Sequence, residues 1–164
     1  MSDIGLNSGV QAGAPLPGLN IRVFHPADET AAVALWGACG LLRPWNDPRK
    51  DIARKLAEQP ELFLVAVLPG AQPGEAERLI GTVMAGYDGH RGWVYYLAVD
   101  LAWQRHSLGR LLMQRVEAEL LALGCPKINL MVRAENTAVL DFYARLGFSA
   151  DASVSLGKRL IPDT

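Results

Sequence analysis

Between residues 93 and 123 the hydrophobic period of the chain changes once, and that change restricts the fold more than any other feature. Residues 93–99 read Trp-Val-Tyr-Tyr-Leu-Ala-Val, a run of aromatic and β-branched side chains suited to a strand. Leu108, Leu111, Leu112, Val116, Leu120 and Leu123 then recur at helical spacing, and Gly124 ends the run. The residues between them, 100–107, form a polar loop. A strand that hands over to a long amphipathic helix needs a sheet on which the helix can bury its apolar stripe.

The rest of the chain supplies that sheet. Residues 19–24 alternate apolar and polar like a half-buried strand. Asp28 can cap a helix over 29–38 with an apolar stripe of Ala31, Val33, Ala34 and Leu35, Trp36 lying beside it, and Gly40 offers a stop. Pro48 behind Asp47 suits a first helical position and opens a helix through about Gln59, with Ile52 and Leu56 on its apolar side. Residues 61–68 are nearly all apolar and predict a strand buried on both faces. A turn-rich link over 69–78 leads to a strand over 79–87, and Asp88-Gly89-His90-Arg91-Gly92 is a turn. Residues 127–133 alternate like a strand. Asn136 can cap a helix carrying Val139, Leu140, Tyr143 and Leu146, closed by Gly147, and residues 153–161 predict a last strand. The order β-α-α-β-β-β-α-β-α-β predicts an α/β fold: a mixed sheet with helices on both faces.

A chain of 164 residues suits one domain, expected over 19–164 behind a flexible tail over 1–18 rich in Gly, Ala, Ser and Pro. The net charge of −1 lacks the basic excess that a nucleic-acid binder uses against phosphates. The first residues lack the basic start and apolar run of a signal peptide, and no apolar run approaches a membrane span. Cys39 and Cys125 form neither a disulfide framework nor a metal-ligand spacing, so the chain reads as a reduced, cytoplasmic protein with no metal implied.

The loop between strand and helix carries the chemistry. The first turn of a helix has unpaired N–H groups and a partial positive charge, which together can hold a phosphate. Gly109 allows close backbone approach, and Arg105 and Arg110 add positive charge; ordinary helix capping explains the same residues. The Gly-Lys-Ser/Thr ending of a P-loop is missing.

Gln104-Arg105-His106-Ser107-Leu108-Gly109 resembles motif A of the GNAT superfamily of acetyl-CoA-dependent N-acetyltransferases, with Ser107 where the family has its first glycine. Asn136-Thr137-Ala138-Val139-Leu140-Asp141-Phe142-Tyr143, running on to Gly147-Phe148, resembles motif B, with Val139 at its alanine position. The two motifs and the strand order cover roughly residues 20–160. Residues 155–161 and 43–49 further resemble the bacterial YpeA-like subgroup.

The resemblance implies a central, mostly antiparallel mixed sheet flanked by helices. It also implies acetyl transfer to a primary amine, of a small molecule or of a peptide or protein, by direct attack on acetyl-CoA. The main chain of Leu97, Ala98 and Val99 would bind the cofactor, with the Val99 N–H as oxyanion donor. Gln104, Arg105, Ser107, Leu108, Gly109 and Arg110 would surround the diphosphate. Asn136 would contact the cofactor, though a bare helix cap looks the same. Tyr143 would protonate the departing thiolate, though an aromatic one turn from Val139 also fits core packing. If Ser107 must take a positive φ, its side chain costs roughly 1 kcal/mol, which a hydrogen bond to a phosphate oxygen would offset.

No general base is evident. Residues 93–99 carry no carboxylate; Asp88, Asp100 and Tyr95 are candidate water-relay partners, and His90 and His106 read as solvated loop residues. Arg43 and Trp45 are the candidate acceptor contacts. Two other classes stay open: a non-catalytic acyl-CoA-binding regulatory module, and an α/β protein holding another phosphorylated ligand. Homodimers are common in the superfamily.

Overall fold

In the computed structural model, which describes residues 16–163, one strand separates two hydrophobic cores. That strand, β2 (Phe63–Leu68), sends Phe63, Val65 and Val67 into one core and Leu64 and Ala66 into the other. The expectation of burial on both faces holds, while residues 61 and 62 belong to a short 3₁₀ turn that precedes the strand.

The sheet runs in chain order: β1 (Asn20–Val23), β2, β3 (Arg78–Tyr87), β4 (Gly92–Val99) and β5 (Ile128–Asn129). The first three pairings are antiparallel and β4–β5 is parallel, the mixed arrangement that the sequence predicts. Helices α1 (Glu29–Ala38) and α2 (Pro48–Ala57) share one core with Phe63, Val65 and Val67. Helices α3 (Leu108–Ala122) and α4 (Thr137–Arg145) share the other with Leu64 and Ala66.

Local chemistry explains most boundaries. Asp47 accepts the Arg49 N–H at 2.9 Å ahead of Pro48, so α2 starts where a capping carboxylate meets a preset φ. Asn136 accepts the Val139 N–H and caps α4. Gly124 and Gly147 sit at φ of 80° and 91° behind α3 and α4, a region open to glycine.

Four expectations are corrected. The buried face of α1 is Ala32, Leu35 and Trp36; Ala31 and Ala34 are exposed, so the stripe is rotated and Trp36 lies at its centre. Of the expected α3 stripe, Leu111 and Leu123 (the latter just past the helix end) are exposed, and Met113 is buried instead. Only Ile128 and Asn129 of the strand expected over 127–133 pair with β4. The last strand expected over 153–161 does not form. Val154 and Leu156 are 85% and 91% exposed, because a two-residue β5 offers that segment no ladder. Instead Asp163, at the far end of the segment, is tied to α2: Arg54 donates to both its carboxylate oxygens at 3.0 and 2.9 Å.

The tail expected over 1–18 lies, up to residue 15, outside the described residues. Among the described residues no helix is long and apolar enough to cross a membrane.

Candidate active site

Strand β4 pairs with β5 only at Gly92 and Trp93, so from Val94 onward its edge on that side has no ladder partner among the described residues. The register shows which groups face the opening. The Asp100 N–H donates to the Ile80 carbonyl at 2.8 Å, which makes 80/100 a hydrogen-bonded position. In an antiparallel pair such positions alternate, so at Gly81/Val99 the Val99 N–H and C=O point away from β3 and toward the open edge. The Val99 carbonyl accepts the Gln104 amide at 3.2 Å and the Cys39 thiol at 3.3 Å. Burial pushes the pKa of that thiol up. The side chains of Leu97 and Val99 pack against the α3–α4 core and Ala98 is buried against the other, so the strand's main chain is what lines the opening.

The loop after β4 is held by its own backbone geometry. Asp100 accepts the Ala102 N–H at 2.9 Å and Arg78 at 3.2 Å. Arg105 and Ser107 lie at φ of 67° and 60°, left-handed conformations that are uncommon for residues with a side chain. Ser107 occupies the cap position of α3 without a side-chain cap bond. The first helical bond runs from the Leu111 N–H to the Ser107 carbonyl. The amides of Leu108, Gly109 and Arg110 are therefore the free donors of the first turn. Arg105 and Arg110 are exposed beside them. The Trp103 indole N–H in the same loop is buried without a partner. A Cβ on Gly109 would lie 3.2 Å from the Phe142 ring, so this glycine admits α4 against α3. That packing role stands beside the close ligand approach that the sequence suggested.

Tyr143 is buried on α4, edge-on to Phe142 and Phe148 at 5.0 and 5.4 Å. Burial pushes its phenol up to about 12, so it is protonated throughout the neutral range. Asn136 spends one oxygen on the α4 cap, leaving its amide hydrogens available.

On the α1–α2 side of the sheet lies a cavity of about 970 Å³ whose walls include Arg43, Trp45, Tyr95 and Tyr96. Trp45 is 54% exposed and lines this cavity. Arg43 donates to the Gly40 and Leu42 carbonyls at 2.8 and 2.7 Å, which ties its guanidinium to its own loop. Sequence reasoning missed the polar cluster of this cavity. Tyr96 donates its hydroxyl to Asp51 at 2.6 Å, and Asn46 donates to both. Thr82 pairs with Ala98 while Met84 pairs with Tyr95, so β4 carries one extra residue there, and Tyr96 takes a φ of 50°. A bulge has no mark in an aromatic run; the signal available was an acidic residue on the α2 face that follows the Arg43–Trp45 loop. The other candidates are committed elsewhere: Asp88 accepts the His90 and Arg91 amides at 2.8 and 2.7 Å within its turn. His106 lies 3.0 Å from the Gln104 carbonyl.

Comparison with known proteins gives this geometry its class. The model of the acetyltransferase (GNAT) family matches residues 28–148. The chain belongs to that family. It is 48% identical over 145 residues to an acetyltransferase of Yersinia enterocolitica, covering 88% of this chain and 98% of that one. Its fold is similar to that of Ard1 from Thermoplasma volcanium, with a TM-score of 0.70, 23% identity and coverage of 82% and 85%. It is also similar to a chain of the NatC complex solved with Gag peptide and CoA, with a TM-score of 0.65, 22% identity and coverage of 78% and 82%.

Proposed function

We propose that the chain, as one domain over residues 19–164, transfers the acetyl group of acetyl-CoA to a primary amine by direct attack. One observation carries this reading: the outward-facing main chain of β4 and the free amides of α3 meet at one loop. An extended amide-bearing arm fits a strand edge, and a diphosphate fits a helix N-terminus. The orphaned Trp103 indole in that loop agrees with a site built to meet a ligand.

Bound acetyl-CoA supplies an activated acetyl thioester; the chain's own residues do the rest. The amides of Leu108, Gly109 and Arg110 hold the diphosphate, with Gln104, Arg105, Ser107 and Asn136 around them. Leu97, Ala98 and Val99 align the arm through their main chain, and the Val99 N–H donates to the thioester oxygen as it gains negative charge. Tyr143 donates its phenolic hydrogen to the departing sulfur. A phenol near 12 is a weaker acid than a thiol near 8.5, so its hydrogen bond strengthens as charge builds on sulfur and its proton passes over only as one released by the amine replaces it. Trp45 walls the acceptor side. The two free thiols, Cys39 and Cys125, agree with a cytoplasmic setting.

The test is calorimetry with acetyl-CoA followed by thiol release across a panel of alkylamines, amino acids and peptides. Saturable binding with thiol release supports the proposal. Binding without turnover on every amine points to the regulatory alternative, and no binding removes the reading altogether.

A further inference from the structure

An alkylamine with a pKa near 10 arrives protonated and must lose a proton before its nitrogen can attack. Strand β4 has no carboxylate, but α2 brings one to it. Tyr96 stacks on Trp36 at 3.9 Å, which fixes its ring, and the bulge turns the phenol toward α2. There its hydroxyl donates to Asp51 Oδ2 at 2.6 Å, while the other carboxylate oxygen accepts Arg54 at 2.6 Å. Asn46 donates to Tyr96 Oη at 3.2 Å and to Asp51. All three residues line the cavity, and Tyr96 immediately precedes Leu97, where the open edge of β4 would take the cofactor.

Resting on the acetyltransferase reading, we propose that Tyr96 and Asp51 are the proton relay for the acceptor amine. An N–H of the ammonium donates to Tyr96 Oη and its proton moves there as the Tyr96 hydrogen passes to Asp51 Oδ2. One N–H bond breaks, the tyrosine exchanges one O–H for another, and one O–H forms on the carboxylate, which later returns its proton to water in the cavity. The nitrogen then attacks as the neutral amine. The second proton, lost from nitrogen after the C–N bond forms, restores the hydrogen that Tyr143 gives to the thiolate, so one proton leaves to water and one ends on sulfur.

Other groups are less suited. Asp88 is occupied by its own turn, and Asp100 by Ala102 and Arg78. Lys55 lies near Gly86, whose partner Trp93 is farther from Val99 than Tyr96 is. The charged groups around the relay are Arg54, which Asp163 shares, and across the cavity Lys55, Glu58, Asp88 and Arg43, with Tyr87 and Tyr95 the other titratable groups of its wall.

The experiment compares Asp51→Asn and Tyr96→Phe with the wild-type chain, using the alkylamine that the wild type acetylates fastest. O-methylhydroxylamine, whose nitrogen is unprotonated at neutral pH, serves as the control acceptor. Both variants are expected to lose roughly a hundredfold in kcat/KM for the alkylamine at pH 7. The loss should shrink as the pH approaches the pKa of the amine, and should fall below about fivefold with O-methylhydroxylamine, for which no relay is needed. Acetyl-CoA affinity and melting temperature serve as controls, and Tyr96→Phe carries the test if Asp51→Asn fails to fold. Activity within threefold of wild type at pH 7, or an equal loss at every pH and with both acceptors, overturns the relay. A wild-type chain that releases no thiol from any amine overturns the acetyltransferase reading and the relay with it, an outcome visible before any variant is made.

Discussion

Ser107 holds a left-handed φ of 60° at the entrance to α3, where a side chain is strained and no cap bond offsets the strain. The sequence already marks the position, since Ser107 stands where the GNAT motif has glycine. Ser107→Gly should therefore stabilise the free chain by about 1 kcal/mol and raise its melting temperature by roughly 2–4 °C in calorimetry. A lower melting temperature would mean that the hydroxyl holds the loop by a contact stronger than the strain. Tyr143 gives a second prediction at this scale. With its phenol raised by burial from 10.0 to about 12, the folded chain keeps a proton that the unfolded chain loses between those values. Its contribution to stability is fully present below pH 10 and declines as the pH rises through about 12. Two units correspond to roughly 2–3 kcal/mol. In alkaline denaturation Tyr143→Phe should lose less stability than the wild type across that window, while losing thiol release by roughly a hundredfold.

At the scale of elements, α1, β3 and the bulge of β4 are joined by one threonine. Trp36 Nε1 donates to Thr82 Oγ1 at 2.9 Å, and that hydroxyl donates to the Tyr96 carbonyl at 2.8 Å. Thr82 is fully buried in the middle of β3. Thr82→Val keeps the shape but strands an indole N–H and a carbonyl away from water. We expect a loss of about 2–3 kcal/mol in urea unfolding. Loosening the bulge should also blunt turnover more than acetyl-CoA affinity, because the bulge aims Tyr96 and leaves the open edge in place. A variant as stable as wild type would mean that the bulge holds without this bridge.

For the whole molecule, the sheet divides the work between its two faces. The α3–α4 side carries the free amides and Tyr143, the α1–α2 side carries the cavity of Trp45, Tyr96 and Asp51, and the unpaired edge of β4 lies between them. The C-terminal segment joins this arrangement through Asp163, whose carboxyl is held down to about 2, first by its hydrogen bonds from Arg54. That depressed pKa makes the tie present above the ordinary 3.8 and lost as the pH falls through about 2. Asp163→Asn should free the segment at neutral pH, and trypsin should then cut faster after Lys158 and Arg159. Equal cutting rates in both forms would show that Arg54 does not hold it.

Much of this molecule was legible in its residues. The capped helices, the doubly buried β2 and the strand–loop–helix unit follow from periodicity, Asp47, Asn136 and glycines at φ above zero, all local preferences of the chain. The resemblance to the family motifs also pointed to Leu97–Val99, Ser107–Arg110 and Tyr143, the residues of the proposed site. Three features were not legible, and each depends on pairing across distance. Residues 153–161 read as a last strand but have no neighbouring ladder. That Gly109 also makes room for the Phe142 ring is not visible in the motif. Tyr96 and Asp51, 45 positions apart, meet only because one extra residue in β4 rotates a tyrosine toward α2. Period and composition report what a segment prefers on its own; which edge stays open, and which side chains share a cavity, is decided by register and packing between segments far apart in the chain.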